Sequence, residues 1–125
     1  MTVGAHAAIA YCGPATATIT IGGRTYRFSH GACIRSAALG ALQLNIGTLV
    51  RGASRNAGRP FVGLLIAESP SESEAFEADW GGHQLLGDTV IAQGSTVLSR
   101  GTFVSVLGAA FSGSWNCHGV VFAGA

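Results

Sequence analysis

The chain has 125 residues, a length that fits one domain and is large enough to bury its own hydrophobic core. Hydrophobic residues make up 48% of it and charged residues only 10%, which excludes the composition of an intrinsically disordered chain. The net charge of +1 is too small for the broad positive field that nonspecific nucleic-acid binding needs. We therefore expect no nucleic-acid partner.

The mean hydropathy is +0.41, and only 10% of the residues are charged. Because so few charged residues cannot break up the apolar surface into small patches, we expect a partner to cover part of that surface. We expect self-association, with a protein or a small hydrophobic molecule as further possible partners. The sequence has no run of about 18 uninterrupted apolar residues, which excludes a membrane-spanning helix. Residues 1–10 lack the basic region and the length of a signal peptide, so we expect that an exported form has already lost its signal.

The first clear element in chain order is a β-hairpin. Thr16–Ile21 alternates threonine with apolar residues, which is the period of a half-buried strand. Gly22 and Gly23 suit a two-residue turn with positive φ at both positions, and Arg24–Phe28 then alternates again. These segments predict two antiparallel strands joined by a tight turn.

The middle of the chain carries two strand signals and one ambiguous segment. The alternation from Leu42 to Ile46 predicts a strand that ends at Gly47. Phe61–Ile66 is a continuous apolar run, which indicates a strand buried on both faces or a core segment. Residues 68–79 are rich in serine and acids, with Pro70 near their start, so a short helix and a loop are equally compatible. We expect the acids of this segment to be solvated.

The last third of the chain predicts a meander of short strands. Apolar-rich strands are expected near residues 85–92, 96–98 and 102–107, separated by turns at residues 93–95 and 100–101. One face of a further strand is shared by Phe111, Gly113, Trp115 and Cys117, and an apolar tail follows.

Together these elements predict an all-β fold, either an antiparallel sandwich or an open barrel, with at most one short helix. We assign residues 1–15 to an N-terminal arm, residues 16–117 to a single β-domain and residues 118–125 to an apolar C-terminal extension.

Three cysteines, Cys12, Cys33 and Cys117, lie far apart and form no C-x-x-C motif, so a structural disulfide is the better use of two of them. Cys33 follows the first hairpin and Cys117 lies on the last clear strand, so a bond between them would close most of the chain. Cys12 would then be a free thiol, part of an intermolecular disulfide or a lipidation site. Lipidation is disfavoured because Tyr11 is bulky where signal processing requires a small residue.

A Cys2His2 metal site built from His30, Cys33, Cys117 and His118 is the competing hypothesis, and it requires reduced thiols. The sequence contains no nucleotide-binding, nucleophile-elbow or zinc-protease motif, so we expect a non-enzymatic protein without a cofactor. Trp80 and Trp115 either line a ligand pocket or belong to the core.

A set of segments runs in order through residues 16–117, namely Thr18–Tyr26, Cys33, Ile46–Gly47, Thr102–Val106 and Phe111–Cys117. This set resembles the actinobacterial lipoprotein-antigen family, typified by mycobacterial LpqH-like domains. The resemblance implies that Cys33 and Cys117 correspond to the disulfide of that family. It also implies an exported, cell-envelope or extracellular β-domain that works in adhesion, host recognition or binding of an apolar molecule.

Two functions of different classes follow from these observations. The first is surface interaction or self-assembly by a secreted or surface-held, non-enzymatic β-domain, as the apolar composition favours. The second is a binding protein or carrier for a small lipid-like molecule, which requires a sizeable apolar cavity between the sheets. A Cys/His metal protein is the third and least favoured hypothesis.

Overall fold

The computed structural model describes residues 8–38, 40–50, 59–67, 74–80, 83–95, 99–105 and 111–124. Within these residues the protein is all-β, with eleven strands and no helix. The predicted fold class, a single β-sandwich domain with one disulfide, is confirmed. No helix in this described part of the chain is long and apolar enough to cross a membrane.

The strands in chain order are β1 (Ala8–Ala10), β2 (Thr16–Ile21), β3 (Arg24–Phe28), β4 (Gly31–Ser36), β5 (Ala41–Val50), β6 (Phe61–Ala67), β7 (Glu74–Trp80), β8 (His83–Ser95), β9 (Arg100–Ser105), β10 (Phe111–Asn116) and β11 (Val121–Gly124).

Ten of these strands form one hydrogen-bonded path, in the order β11-β4-β5-β6-β7-β8-β9-β10-β2-β3, and β1 pairs separately with β5. Neighbours along the path are antiparallel except β11 and β4, which are parallel. The path folds over, so that β11, β4, β5, β6 and β7 form a first sheet that faces a second sheet of β9, β10, β2 and β3. Strands from both ends of the described chain, β1 and β11, therefore pair within this same domain.

The long strand β8 joins the two sheets. Its residues 83–89 pair with β7, and its residues 89–95 pair with β9. The register shifts between Ile91 and Gln93, where a β-bulge bends the strand. A strand that bends in this way can change sheets at the corner of a sandwich. The predicted turn at residues 93–95 is therefore wrong, because these residues are paired inside β8.

The core lies between the two sheets and is built from alternate residues of each strand. The first sheet contributes Leu42, Leu44, Ile46, Val62, Leu64, Ile66, Phe76, Ala78 and Trp80. The second sheet contributes Ala17, Ile19, Phe28, Phe103 and Trp115. Across the core, the ring centroid of Phe76 lies 5.2 Å from that of Phe103, and the centroid of Trp80 lies 5.1 Å from that of Tyr26. Aromatic side chains thus fill the space between the sheets.

Several expected boundaries differ from the observed ones. Residues 74–79 belong to β7 rather than to a helix or loop, because alternate residues of this strand enter the core; residues 68–73 lie outside the described residues. β5 does not end at Gly47 but continues to Val50 through a positive φ of 91°, and the extra residues pair with β1. The expected turn at residues 100–101 is the start of β9, and the apolar tail is β11. The strand expected at residues 96–98 lies outside the described residues, as do residues 106–107.

Candidate functional site: the outer face of the first sheet

The disulfide joins the two sheets. Cys33 of β4 and Cys117, which follows β10, are bonded with their Cα atoms 5.8 Å apart, and both side chains are fully buried. The two cysteines are 84 residues apart in sequence. β4 and β10, the strands that the bond connects, lie near opposite ends of the strand path. Cys12 is a free cysteine and is exposed.

The other candidate residues of the sequence lie apart from any common site. The disulfide uses both thiols of the Cys2His2 hypothesis, so thiolate ligands are not available there while the bond is intact. Both histidines of that set are exposed, and Nε2 of His118 lies 2.8 Å from Oγ1 of Thr16. The part of the chain that the structure describes holds no group of three or more His, Cys, Asp or Glu side chains placed to bind a metal. Trp80 and Trp115 are both core residues.

The outer face of the first sheet, which points away from the core, carries an unusual mixture of residues. The register places Phe122, Ile34, Gln43 and Leu65 in one row across β11, β4, β5 and β6. The next row across β4, β5, β6 and β7 consists of Ala32, Asn45, Gly63 and Glu77. This face is therefore apolar towards β11 and combines polar and apolar groups towards β7.

A groove of about 410 Å³ opens on this face. Its apolar lining includes Tyr11, Phe61 and Leu65, and the ring centroids of Tyr11 and Phe61 lie 6.1 Å apart. Phe61 is only 2% exposed although it faces away from the core, because it lies beside Tyr11. Gly63 forms the floor, where a Cβ atom would lie 3.1 Å from Cζ of Phe61. A larger residue at position 63 would therefore push against the Phe61 ring.

Three polar side chains, Gln43, Asn45 and Glu77, line the same groove. Asn45 is only 8% exposed, whereas Gln43 and Glu77 are half-buried. None of these three side chains makes a hydrogen bond to another described residue. The amide atoms of Asn45 are not among the buried side-chain nitrogen and oxygen atoms of the described residues that lack a hydrogen-bond partner. They therefore reach the groove and are accessible to a ligand there.

Tyr11 separates this groove from a second pocket of about 420 Å³, whose lining includes Arg27, Phe28, His30 and Pro60. The second pocket lies between the ends of β1, β3 and β5. It brings together a cationic side chain and a histidine, and both of these residues are exposed.

The strand path has two edges, β3 and β11, and they differ in charge. β3 presents Arg24 and Arg27, which are both exposed. β11 has no charged residue, and Phe122 within it is 48% exposed. Charged side chains on an edge strand prevent it from pairing with another chain, because such pairing would bury the charge. β3 has this protection, and β11 does not.

Comparison of the chain with known proteins gives no match. No protein-family model matches the chain, and neither a curated protein nor a solved structure matches it.

Sequence reasoning missed the groove and the unprotected edge. Gln43 and Asn45 occupy the polar positions of an alternating strand, a pattern typical of a solvated face. Glu77 belongs to the acidic segment that we expected to be solvated; this expectation is wrong for Asp79, which is only 5% exposed, and Glu77 itself is half-buried. One signal was available: Gly63 interrupts an apolar strand, and an interior glycine there often marks a close approach of other groups.

Proposed function

We propose that this chain is an exported, non-enzymatic β-sandwich domain of the cell envelope or cell surface that acts by associating with copies of itself along β11. The observation that carries this proposal is the chemistry of β11, an edge strand without charge on which Phe122 is 48% exposed. Such an edge offers unpaired backbone groups and an apolar side chain to a second strand.

The proposed location is supported by the disulfide and by the resemblance to lipoprotein antigens. Disulfides form and persist in oxidising environments such as the periplasm, the cell surface and the extracellular space. Cys33 and Cys117 are bonded in the core, where the bond connects the two sheets. In an oxidising location outside the cytosol the disulfide stays formed, so an exported domain keeps the full stabilisation that this bond provides.

The proposed association pairs two β11 strands in antiparallel fashion around a two-fold axis. A two-fold arrangement uses the same surface on both copies, so a single edge strand is sufficient. The first sheets of the two copies then become continuous, with their outer faces on the same side. Phe122 of one copy would lie near Phe122 of the other, with Ile34 next to it on β4 of its own copy, and cross-strand apolar pairs of this kind stabilise a sheet.

The alternative function, a carrier for a lipid-like molecule, stays a prediction. It requires an apolar cavity between the sheets, which is where Phe76, Trp80, Phe103 and Trp115 pack. The self-association proposal rests instead on the uncharged edge strand β11, where Phe122 is exposed.

Light scattering over a range of protein concentrations tests the proposal. We expect the mass of the native chain to rise from monomer towards dimer with concentration, and the Phe122→Arg variant to remain a monomer because pairing would bury its charge. The matched control is Val104→Arg, since Val104 is 41% exposed but lies on β9, an interior strand of the second sheet. The control should associate like the native chain. A native chain that stays monomeric at every concentration contradicts the proposal, as does equal loss of association in both variants.

A further inference from the structure

We propose that the groove on the outer face of the first sheet binds a neutral saccharide of one or two sugar rings. The residues that would contact it are Tyr11, Gln43, Asn45, Phe61, Leu65 and Glu77. This inference is independent of the association along β11, because it rests on a different group of side chains.

The position of Asn45 is the first reason. Asn45 is only 8% exposed and lines the groove. Its amide makes no hydrogen bond to a described residue. An amide offers donors and acceptors together, and the polar atoms of Asn45 reach the groove, where a ligand can bind them. A sugar hydroxyl, which both donates and accepts, satisfies an amide on both counts.

The charges of the groove are the second reason. Among the described residues that line it, Glu77 is the one charged side chain, and none is Arg, Lys or His. A carboxylate with no cation among these residues repels phosphates and carboxylates, which disfavours anionic ligands, but it accepts hydrogen bonds from neutral hydroxyls. With Gln43 and Asn45 beside it, the polar side of the groove matches an uncharged ligand that is rich in hydroxyl groups.

The pairing of the strands is the third reason. The groove lies over β5, β6 and β7, and each of these strands is paired on both sides along the groove. Their backbone groups are therefore not available to an extended peptide that would add as a strand, which is the common mode of peptide capture by a sheet. Recognition at this place must come from side chains.

The shape and the apolar lining are the fourth reason. A volume of about 410 Å³ falls within the usual range of small-molecule sites, roughly 300–1,000 Å³. Tyr11, Phe61 and Leu65 supply apolar surface opposite the polar groups. The C–H faces of a sugar ring can pack on this surface while its hydroxyls reach Gln43, Asn45 and Glu77.

Nuclear magnetic resonance of the 15N-labelled 125-residue chain tests the proposal, with maltose and cellobiose as separate probes. We expect saturable shifts of the side-chain amide signals of Gln43 and Asn45 with at least one sugar. The Gln43→Ala variant, which removes a half-buried side chain with little risk to the fold, should weaken the affinity by about tenfold, as expected for a lost hydrogen bond. Ser112→Ala, an exposed polar position on β10, is the matched control and should bind like the native chain.

Three outcomes would overturn the proposal. The first is that neither sugar shifts these signals, or that a sugar which does shift them titrates the Asn45 side-chain amide with the same affinity in the native protein and in Gln43→Ala. The second is that choline chloride shifts them and Glu77→Gln abolishes this effect, which would identify a cation site. The third is that the signals shift with protein concentration in the absence of sugar, which would place a second copy of the chain in the groove.

Discussion

At the scale of single residues, Gly113 allows an aromatic contact to form between the sheets. A Cβ atom at this position of β10 would overlap the ring of Phe103 and the carbonyl oxygen of Thr18, and it would lie 2.7 Å from Cε1 of Phe103. The Phe103 ring therefore occupies the space that any side chain at position 113 would need. In that place it contacts Phe76 of the first sheet.

We expect Gly113→Ala to lower the free energy of unfolding by about 1–3 kcal/mol, the usual cost of an added methyl group in a packed core. The backbone oxygen of Thr18 cannot move away without disturbing the pairing of β2 with β10. Urea denaturation measures the effect. The neighbouring Ser112→Ala variant is the control and should change stability by less than about 0.5 kcal/mol, since Ser112 is exposed. If the two variants are equally stable, the Phe103 ring can move aside without a measurable cost in unfolding free energy, which would contradict this prediction.

At the scale of elements, the sequence predicts best what local chemistry decides. The hairpin of β2 and β3 has its predicted boundaries, because two adjacent glycines adopt the left-handed backbone that its turn requires, with φ of 59° and 79°. The alternation of Thr16–Ile21 is likewise a local signal. No distant contact is needed to identify either feature.

The sequence predicts less well where distant contacts decide the structure. Phe76, Ala78 and Trp80 alternate along β7, but the many acids and serines around them make this period hard to recognise in the sequence. The segment forms a strand because these residues pack against the second sheet. In β8, the bulge between Ile91 and Gln93 interrupts the two-residue period, so the glycine at position 94 resembles part of a turn. Both errors arise because tertiary packing outweighs local propensity.

The candidate sites depend on register and could not be predicted from local patterns. The groove exists because β5, β6 and β7 align Asn45, Gly63 and Glu77 in one row. Tyr11 reaches Phe61 because β1 pairs with the far end of β5. The unprotected edge likewise appears only once β11 is known to lie last in the strand path.

At the scale of the whole molecule, the disulfide constrains how far the two sheets can separate. Cys33 and Cys117 are 84 residues apart in sequence and meet in the core. In the chain-entropy model, a loop of this length restricts the unfolded chain enough to stabilise the fold by about 4–5 kcal/mol. This contribution is comparable to the whole stability of a small domain, roughly 5–15 kcal/mol.

We expect the double variant Cys33→Ala with Cys117→Ala to lose about 4–5 kcal/mol of unfolding free energy in urea denaturation. Cys12→Ser should leave the stability unchanged, because Cys12 is exposed and not bonded. A loss below about 1 kcal/mol in the double variant would mean that the packing of the sheets alone holds the sandwich closed.

Self-association along β11 is tested most directly by amide hydrogen exchange at low and high protein concentration. Pairing of two β11 strands would protect amides of residues 121–124, so we expect their exchange to slow as the concentration rises. Residues 24–28 of β3, the edge that carries Arg24 and Arg27, should exchange at the same rate throughout. Exchange in β11 that is independent of concentration, or equal slowing at both edges, would contradict association through this strand.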